Sequence, residues 1–202
     1  MIAKPVLDAI RAMIASFEQL GVEYVIGGSV ASTFYGMDRT TVDVDIAVDL
    51  RIEQVAPLVK QLEGEYYIDA EMLEDAIRHR SSCNLIYLPN WIKIDLFISK
   101  GQSFDKVEFQ RATRDSFSLE NGTMLLNIVS PEDIVLRKLL WYKDGGAVSE
   151  RQWLDVLGVL KVQAARLDRE YMAEWAANLS ISDLLKRAME DAGLPPLGED
   201  ER

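Results

Sequence analysis

Apolar positions in the first half of the chain switch between two periods. Val6, Leu7, Ile10, Met13, Ile14, Phe17 and Leu20 recur three and four residues apart, which predicts a helix with one buried stripe that stops at Gly21. Residues 23–26 read as a short strand running into Gly27-Gly28. Residues 29–35 read as a short helix, with Ser29 at its N-cap or first turn and Gly36 beyond its end. Residues 41–50 alternate as a strand, and residues 53–62 and 70–79 have the spacing of amphipathic helices. Residues 82–88 and 91–99 form a hairpin pattern across Pro89-Asn90. Residues 111–119 and 124–129 form a second across Glu120-Asn121-Gly122.

The pattern changes at Ser130. Ser130-Pro131-Glu132-Asp133 is a helix start, with serine as cap, proline in the first turn and acids at the positive end of the helix dipole. Four helical stripes follow and no strand: Val135/Leu139, Trp153/Leu157/Leu160, Tyr171/Trp175/Leu179 and Ile181/Leu184/Leu185/Ala188. The expected architecture is α/β (α+β), a mixed sheet flanked by helices and followed by a helical C-terminal subdomain, with domains at 1–129 and 130–202.

Composition narrows the field. Apolar residues make up 49% of the 202 positions and charged residues 27%, as in an ordinary globular protein. A net charge of −11 argues against gripping duplex nucleic acid over a broad surface, which is the work of Lys and Arg. No apolar run approaches the roughly 20 residues that span a bilayer, and Pro5 and Asp8 come too early for a secretory signal. The expectation is a cytoplasmic protein with no membrane segment. Cys83, the single cysteine, cannot form an intramolecular disulfide, which fits a reducing compartment.

The candidate chemistry lies on two strands. In residues 41–48 the side chains of Val42, Val44, Ile46 and Val48 share one face and those of Asp43 and Asp45 the other. Residues 91–98 repeat this: Ile92, Ile94, Leu96 and Ile98 on one face, Lys93, Asp95 and Phe97 on the other. If the strands are neighbours, three carboxylates share one surface. At about 6 Å and an effective dielectric of about 20, each ionised pair repels by roughly 3 kcal/mol. A hard divalent cation would offset that cost, because carboxylate oxygens are what Mg²⁺ takes from proteins. The bland reading is a solvated strand face, but Asp is depleted in strands, where Thr or Lys would serve better.

Upstream, Gly27-Gly28-Ser29 sits between strand and helix. Glycines let a ligand approach the backbone, and a helix N-terminus offers N–H groups to an anion; tight strand–helix turns need glycine for their own reasons as well. Thirteen residues separate Ser29 from Asp43, room for a short helix and a return. An anion site facing a cation site suits a nucleoside triphosphate with magnesium.

Gly28-Ser29, thirteen residues, Asp43-Val44-Asp45 and the later Ile94-Asp95-Leu96 resemble the nucleotidyltransferases of the DNA polymerase beta superfamily. The stretch from Arg39 to Ile46, with Ser130-Pro131-Glu132-Asp133, Lys138-Leu139-Leu140 and Ser149-Glu150-Arg151-Gln152 through Asp155, is most similar to the bacterial branch related to abortive-infection toxins. The resemblance implies transfer of a nucleoside monophosphate (NMP) from an NTP such as ATP to an acceptor hydroxyl, with release of pyrophosphate. It implies that Asp43, Asp45 and Asp95 hold Mg²⁺ or Mn²⁺, and that Gly27, Gly28 and Ser29 bind phosphates. It leaves the acceptor open among RNA, including tRNA, a protein and a small molecule, and it implies a toxin–antitoxin or phage-defence role with an antitoxin as partner. The alternative is a non-catalytic regulatory or binding protein that keeps the fold.

Other residues are open to two readings. Arg39 either reaches a triphosphate or pairs with Asp38 or a strand acid. Lys138 either contacts phosphate or is a solvated helix lysine. Arg151 and Asp155, one turn apart, can simply pair with each other. Arg78-His79-Arg80 is a substrate patch or a solvated helix end. With one histidine in the chain, a His-based zinc cluster is excluded. Cys83 alternates with Leu85 and Tyr87, so it reads as a buried small residue, and Trp141, Trp153 and Trp175 read as core. Asp49 and Asp69 show no pattern.

Overall fold

The computed structural model describes residues 3–36, 43–119 and 122–195. Seven strands form one mixed sheet, β1 (Glu23–Ile26), β2 (Asp43–Asp49), β3 (Tyr66–Tyr67), β4 (Ser82–Tyr87), β5 (Ile92–Ile98), β6 (Thr113–Leu119) and β7 (Gly122–Ile128), in the order β3-β4-β5-β2-β1-β7-β6. Helices α1 (Lys4–Leu20), α3 (Ile52–Leu62), α4 (Ala70–His79) and α5 (Ser103–Arg111) belong with this sheet. Helix α2 (Gly28–Tyr35) follows β1, and α6 (Pro131–Asp144), α7 (Glu150–Gln163), α8 (Arg169–Asn178) and α9 (Ser182–Asp191) make up the described C-terminal region.

The chain divides into two compact units. Among the described residues, one comprises those within 3–30 and 43–129, and the other those within 31–36 and 130–195. The break at 130 falls where the sequence changes character. A second break runs through α2, so that its residues from Ala31 on, with Gly36, group with the C-terminal helices.

In the sheet unit the apolar stripe of α1 is buried from Val6 through Phe17, while Leu20 is half-buried, and Gly21 ends the helix in the left-handed conformation at φ 64°. Helix α1 packs on β1, β5 and α3. Tyr66 on β3 donates to the Ala9 carbonyl at 2.8 Å, and Gln54 on α3 donates to the Leu20 carbonyl at 3.0 Å. Strand β2 lies between β1, antiparallel to it, and β5, parallel to it. Val44, Ile46, Val48, Ile94, Leu96 and Ile98 form its fully buried face.

Both hairpins are present, although the turn residues Glu120 and Asn121 lie outside the described residues, as do Thr41 and Val42 at the start of the second strand pattern. Arg111, expected to open the second hairpin, instead ends α5.

In the helical unit Ser130 accepts from the Asp133 amide through Oγ at 3.1 Å and donates to Oδ2 of the same residue at 2.8 Å. The Tyr171 hydroxyl donates to the other carboxylate oxygen of Asp133. Glu132 accepts from the Asp168 amide at 3.0 Å, tying α6 to the start of α8. Trp153 packs against Tyr142 in a tilted pair with ring centres 5.1 Å apart and donates to Asp191 at 3.1 Å. Of the three tryptophans expected in the core, Trp153 is buried, whereas Trp141 and Trp175 are half-buried. Gln163 donates to the Tyr35 carbonyl at 2.7 Å, and the Gly36 backbone passes close to Gly158, which explains why the end of α2 groups with these helices. Among the described residues no helix is long and apolar enough to cross a membrane.

Candidate functional site

The parallel pairing of β2 with β5 sets Asp45 directly opposite Asp95 and Asp43 opposite Lys93. Residues in register across a sheet point to the same face, so the three acids and Lys93 share the face opposite the buried aliphatic one. Asp43, Asp45 and Asp95 are each half-buried. The adjacency and the shared face expected of them are both present.

A ready-made cage is not. Among the described residues no three His, Cys, Asp or Glu side chains are gathered into a group able to hold a metal ion. Two contacts engage these carboxylates. The Lys93 ammonium lies 2.9 Å from Asp95 Oδ2, with 46% of the lysine side chain exposed and 14% of the aspartate. Asp45 Oδ2 instead accepts from the Ser29 amide at 3.4 Å. The lysine holds its proton more tightly than an ordinary lysine. The largest cause is its hydrogen bond to Asp95, which with the charges of Asp95, Asp43 and Asp45 outweighs its desolvation. The donor chemistry still fits a hard cation, with carboxylate oxygens from two adjacent strands on one half-open face.

The glycine turn is built against this face. Gly27 donates its amide to the Asp45 carbonyl at 2.9 Å. Gly28 has φ +54°, and a Cβ placed on it would lie 1.7 Å from Asp45 Oδ2. Only glycine satisfies both the left-handed backbone and the close approach. Ser29 is buried, and its Oγ donates to the Asp43 carbonyl at 3.4 Å. The helix begins at Gly28, so Ser29 sits in its first turn rather than at the cap.

Gly28→Ala is therefore expected to lower the melting temperature by at least about 5 °C, since strained backbone alone costs roughly 1–3 kcal/mol before Asp45 is displaced. Gly27→Ala, where an added Cβ meets nothing within 4 Å, should leave it nearly unchanged. Equal melting shifts in the two variants would show that Asp45 does not fix the turn.

The remaining candidates separate. Arg39 lies outside the described residues. Lys138 is neither solvated nor open: it is 5% exposed, with Nζ 2.9 Å from Asp155 Oδ2. Asp155 thus pairs across helices with Lys138, seventeen residues away, and Arg151 is exposed. Sequence reasoning missed this pair because nothing local signals it. His79 is exposed and pairs with Asp75 at 3.1 Å, and Arg78 pairs with Glu74, as at a solvated helix end. Asp69 proves to be the cap of α4, accepting from the Met72 amide at 2.9 Å, and Asp49 lies 3.8 Å from Arg80. Cys83 is buried, and burial pushes its thiol up to about 11, which leaves it inert as a nucleophile at neutral pH.

No protein-family model matches this sequence, and comparison with curated proteins finds no match. Solved structures do match in fold. The solution structure of the antibiotic-resistance factor ANT(2'')-Ia is 12% identical, with a TM-score of 0.53 over 94% of this chain and 100% of that one. The crystal structure of the same factor in complex with adenylyl-2''-tobramycin matches at 12% identity and TM-score 0.53 over 88% of this chain and 98% of that one. An antigenic nucleotidyltransferase-like protein from Paracoccidioides brasiliensis is 18% identical, with a TM-score of 0.50 over 91% of this chain and 88% of that one. The fold is nucleotidyltransferase-like.

Proposed function

We propose that the protein is a metal-dependent nucleotidyltransferase that moves an NMP group from an NTP to an acceptor hydroxyl with release of pyrophosphate. The observation that carries this is the register of β2 and β5, which puts Asp43, Asp45 and Asp95 on one face beside a glycine turn at the start of a helix. In this reading Asp43, Asp45 and Asp95 hold Mg²⁺ or Mn²⁺. A metal held there would neutralise charge on the triphosphate and would lower the pKa of the attacking hydroxyl.

The chain's own residues bind and orient. The turn at Gly27, Gly28 and Ser29 is the proposed phosphate side of the face; the Gly27 amide and the Ser29 amide and hydroxyl are bonded to residues 43 and 45, so holding a phosphate there would require them to exchange those partners. The buried aliphatic face of β2 and β5 keeps the acids at fixed spacing, which matters because positioning and charge neutralisation do most of the work in phosphoryl chemistry. Arg39 remains a proposed phosphate contact. Lys138 is left out of the nucleotide set because its ammonium is committed to Asp155.

The fold neighbour bound to adenylyl-2''-tobramycin supports a hydroxyl-bearing small molecule as one acceptor class. An RNA or protein acceptor, a toxin or phage-defence role and an antitoxin partner rest on the sequence resemblance alone. The Lys93–Asp95 pair favours one second reading, a binding protein whose acidic face is neutralised internally. Incubation with each labelled NTP and Mg²⁺, with cellular RNA, protein or aminoglycosides as acceptors, tests between them. Metal-dependent labelling of one acceptor supports transfer. Failure of all four NTPs to bind, with or without Mg²⁺, leaves the binding-protein reading.

A further inference from the structure

We infer that Lys93 is the internal counter-ion of the acidic strand face, holding Asp95 in the metal-free protein and yielding that carboxylate to an incoming divalent cation, so that Lys93 sets the metal concentration at which the face loads. This rests on the proposed metal-binding role of Asp43, Asp45 and Asp95.

Three observations carry it. First, β5 places Lys93 and Asp95 two residues apart on one face, and the register sets Lys93 opposite Asp43 and Asp95 opposite Asp45, so the lysine lies within the acidic face. Second, the ammonium lies 2.9 Å from Asp95 Oδ2, a charge-assisted hydrogen bond made to an oxygen that a metal would need. Third, exposure is unequal. Asp95 is 14% exposed and needs a counter-charge, whereas Lys93 is 46% exposed and regains water readily when it lets go.

The ammonium offsets part of the like charge on the face, and it engages one carboxylate oxygen of Asp95. A divalent cation brings twice the charge to the same oxygens, so the exchange favours the metal once its concentration suffices. A purely structural lysine would stabilise the strand face without competing for it.

Competition makes a prediction opposite to that for a ligand-binding residue. The full-length protein is stripped of metal with a chelator and titrated with Mn²⁺, the free ion being followed by its electron paramagnetic resonance signal. Lys93→Met should bind Mn²⁺ about tenfold more tightly than the wild type, the equilibrium equivalent of one charge-assisted hydrogen bond. Lys93→Arg, which keeps the cation, should stay close to the wild type. Unchanged or weaker Mn²⁺ binding by Lys93→Met, with the wild type binding, overturns the counter-ion role and leaves the proposed transferase standing. If neither protein binds Mn²⁺, the metal reading of the face and this inference fall together.

Discussion

Asp43→Asn and Asp45→Asn are each expected to cut NMP transfer by about a thousandfold while leaving the melting temperature unchanged or slightly raised. A metal ligand contributes several kcal/mol of transition-state stabilisation, and each 1.36 kcal/mol is tenfold in rate. The amide is nearly isosteric with the carboxylate, so packing is kept. The Gly27 amide bonds the backbone of residue 45 and the Ser29 hydroxyl that of residue 43, neither of which depends on the side chain, and the Ser29 amide, which bonds Asp45 Oδ2, can donate equally to an asparagine side-chain oxygen. Removing one charge relieves repulsion on the face, estimated at roughly 3 kcal/mol per ionised pair before Lys93 is counted.

Transfer of label from an NTP, and melting in metal-free buffer, measure the two effects. A marked loss of thermal stability would mean that these acids are structural partners and would sink the metal reading. Asp95→Asn should differ, because it also releases Lys93 from its ion pair. That variant is expected to melt lower than the other two in metal-free buffer.

The acidic strands were legible because a strand states its faces in its alternation. Once Asp43, Asp45 and Asp95 are written at period two beside aliphatic neighbours, their common face needs only the pairing of β2 with β5. Helix α1 was legible for the corresponding reason, an uninterrupted stripe closed by glycine.

Helix α5 was not legible. Its buried residues are Phe104, Asp105 and Glu108, so two of the three are charged and no apolar period exists to detect. Asp105 is buried because its carboxylate accepts from the Lys100 and Gln102 amides at 2.9 Å and 3.3 Å, a local device that periodicity does not register. Strand β3, two residues long, is shorter than any alternation can reveal.

The ion pairs show the same divide. Lys93 and Asp95 could be placed on one face from their spacing, but not that they bond. Lys138 and Asp155 come from different helices, and the i,i+4 rule pointed Asp155 at Arg151 instead. Long-range pairing of charges depends on tertiary packing, which local spacing cannot carry.

Lys138→Met is expected to lower the melting temperature by about 10 °C. The ammonium and its partner carboxylate are 6% and 11% exposed, so neither can turn to water when the other is lost. Removing one member of a buried ion pair costs about 3–5 kcal/mol, since the remaining charge keeps its low-dielectric surroundings and loses that counter-charge. For a chain of this length each kcal/mol shifts melting by roughly 2–4 °C. Part of that loss comes from leaving a buried carboxylate without this ammonium rather than from the attraction itself, so Lys138→Met/Asp155→Leu should recover part of it. The double variant also separates structure from nucleotide chemistry. Assayed well below its melting temperature, it should bind NTP as tightly as the wild type if the Lys138–Asp155 bond serves to join α6 to α7 rather than to present the lysine to a phosphate. Restored melting with a tenfold or greater loss of NTP affinity would overturn this and return Lys138 to the nucleotide site that the sequence first suggested for it.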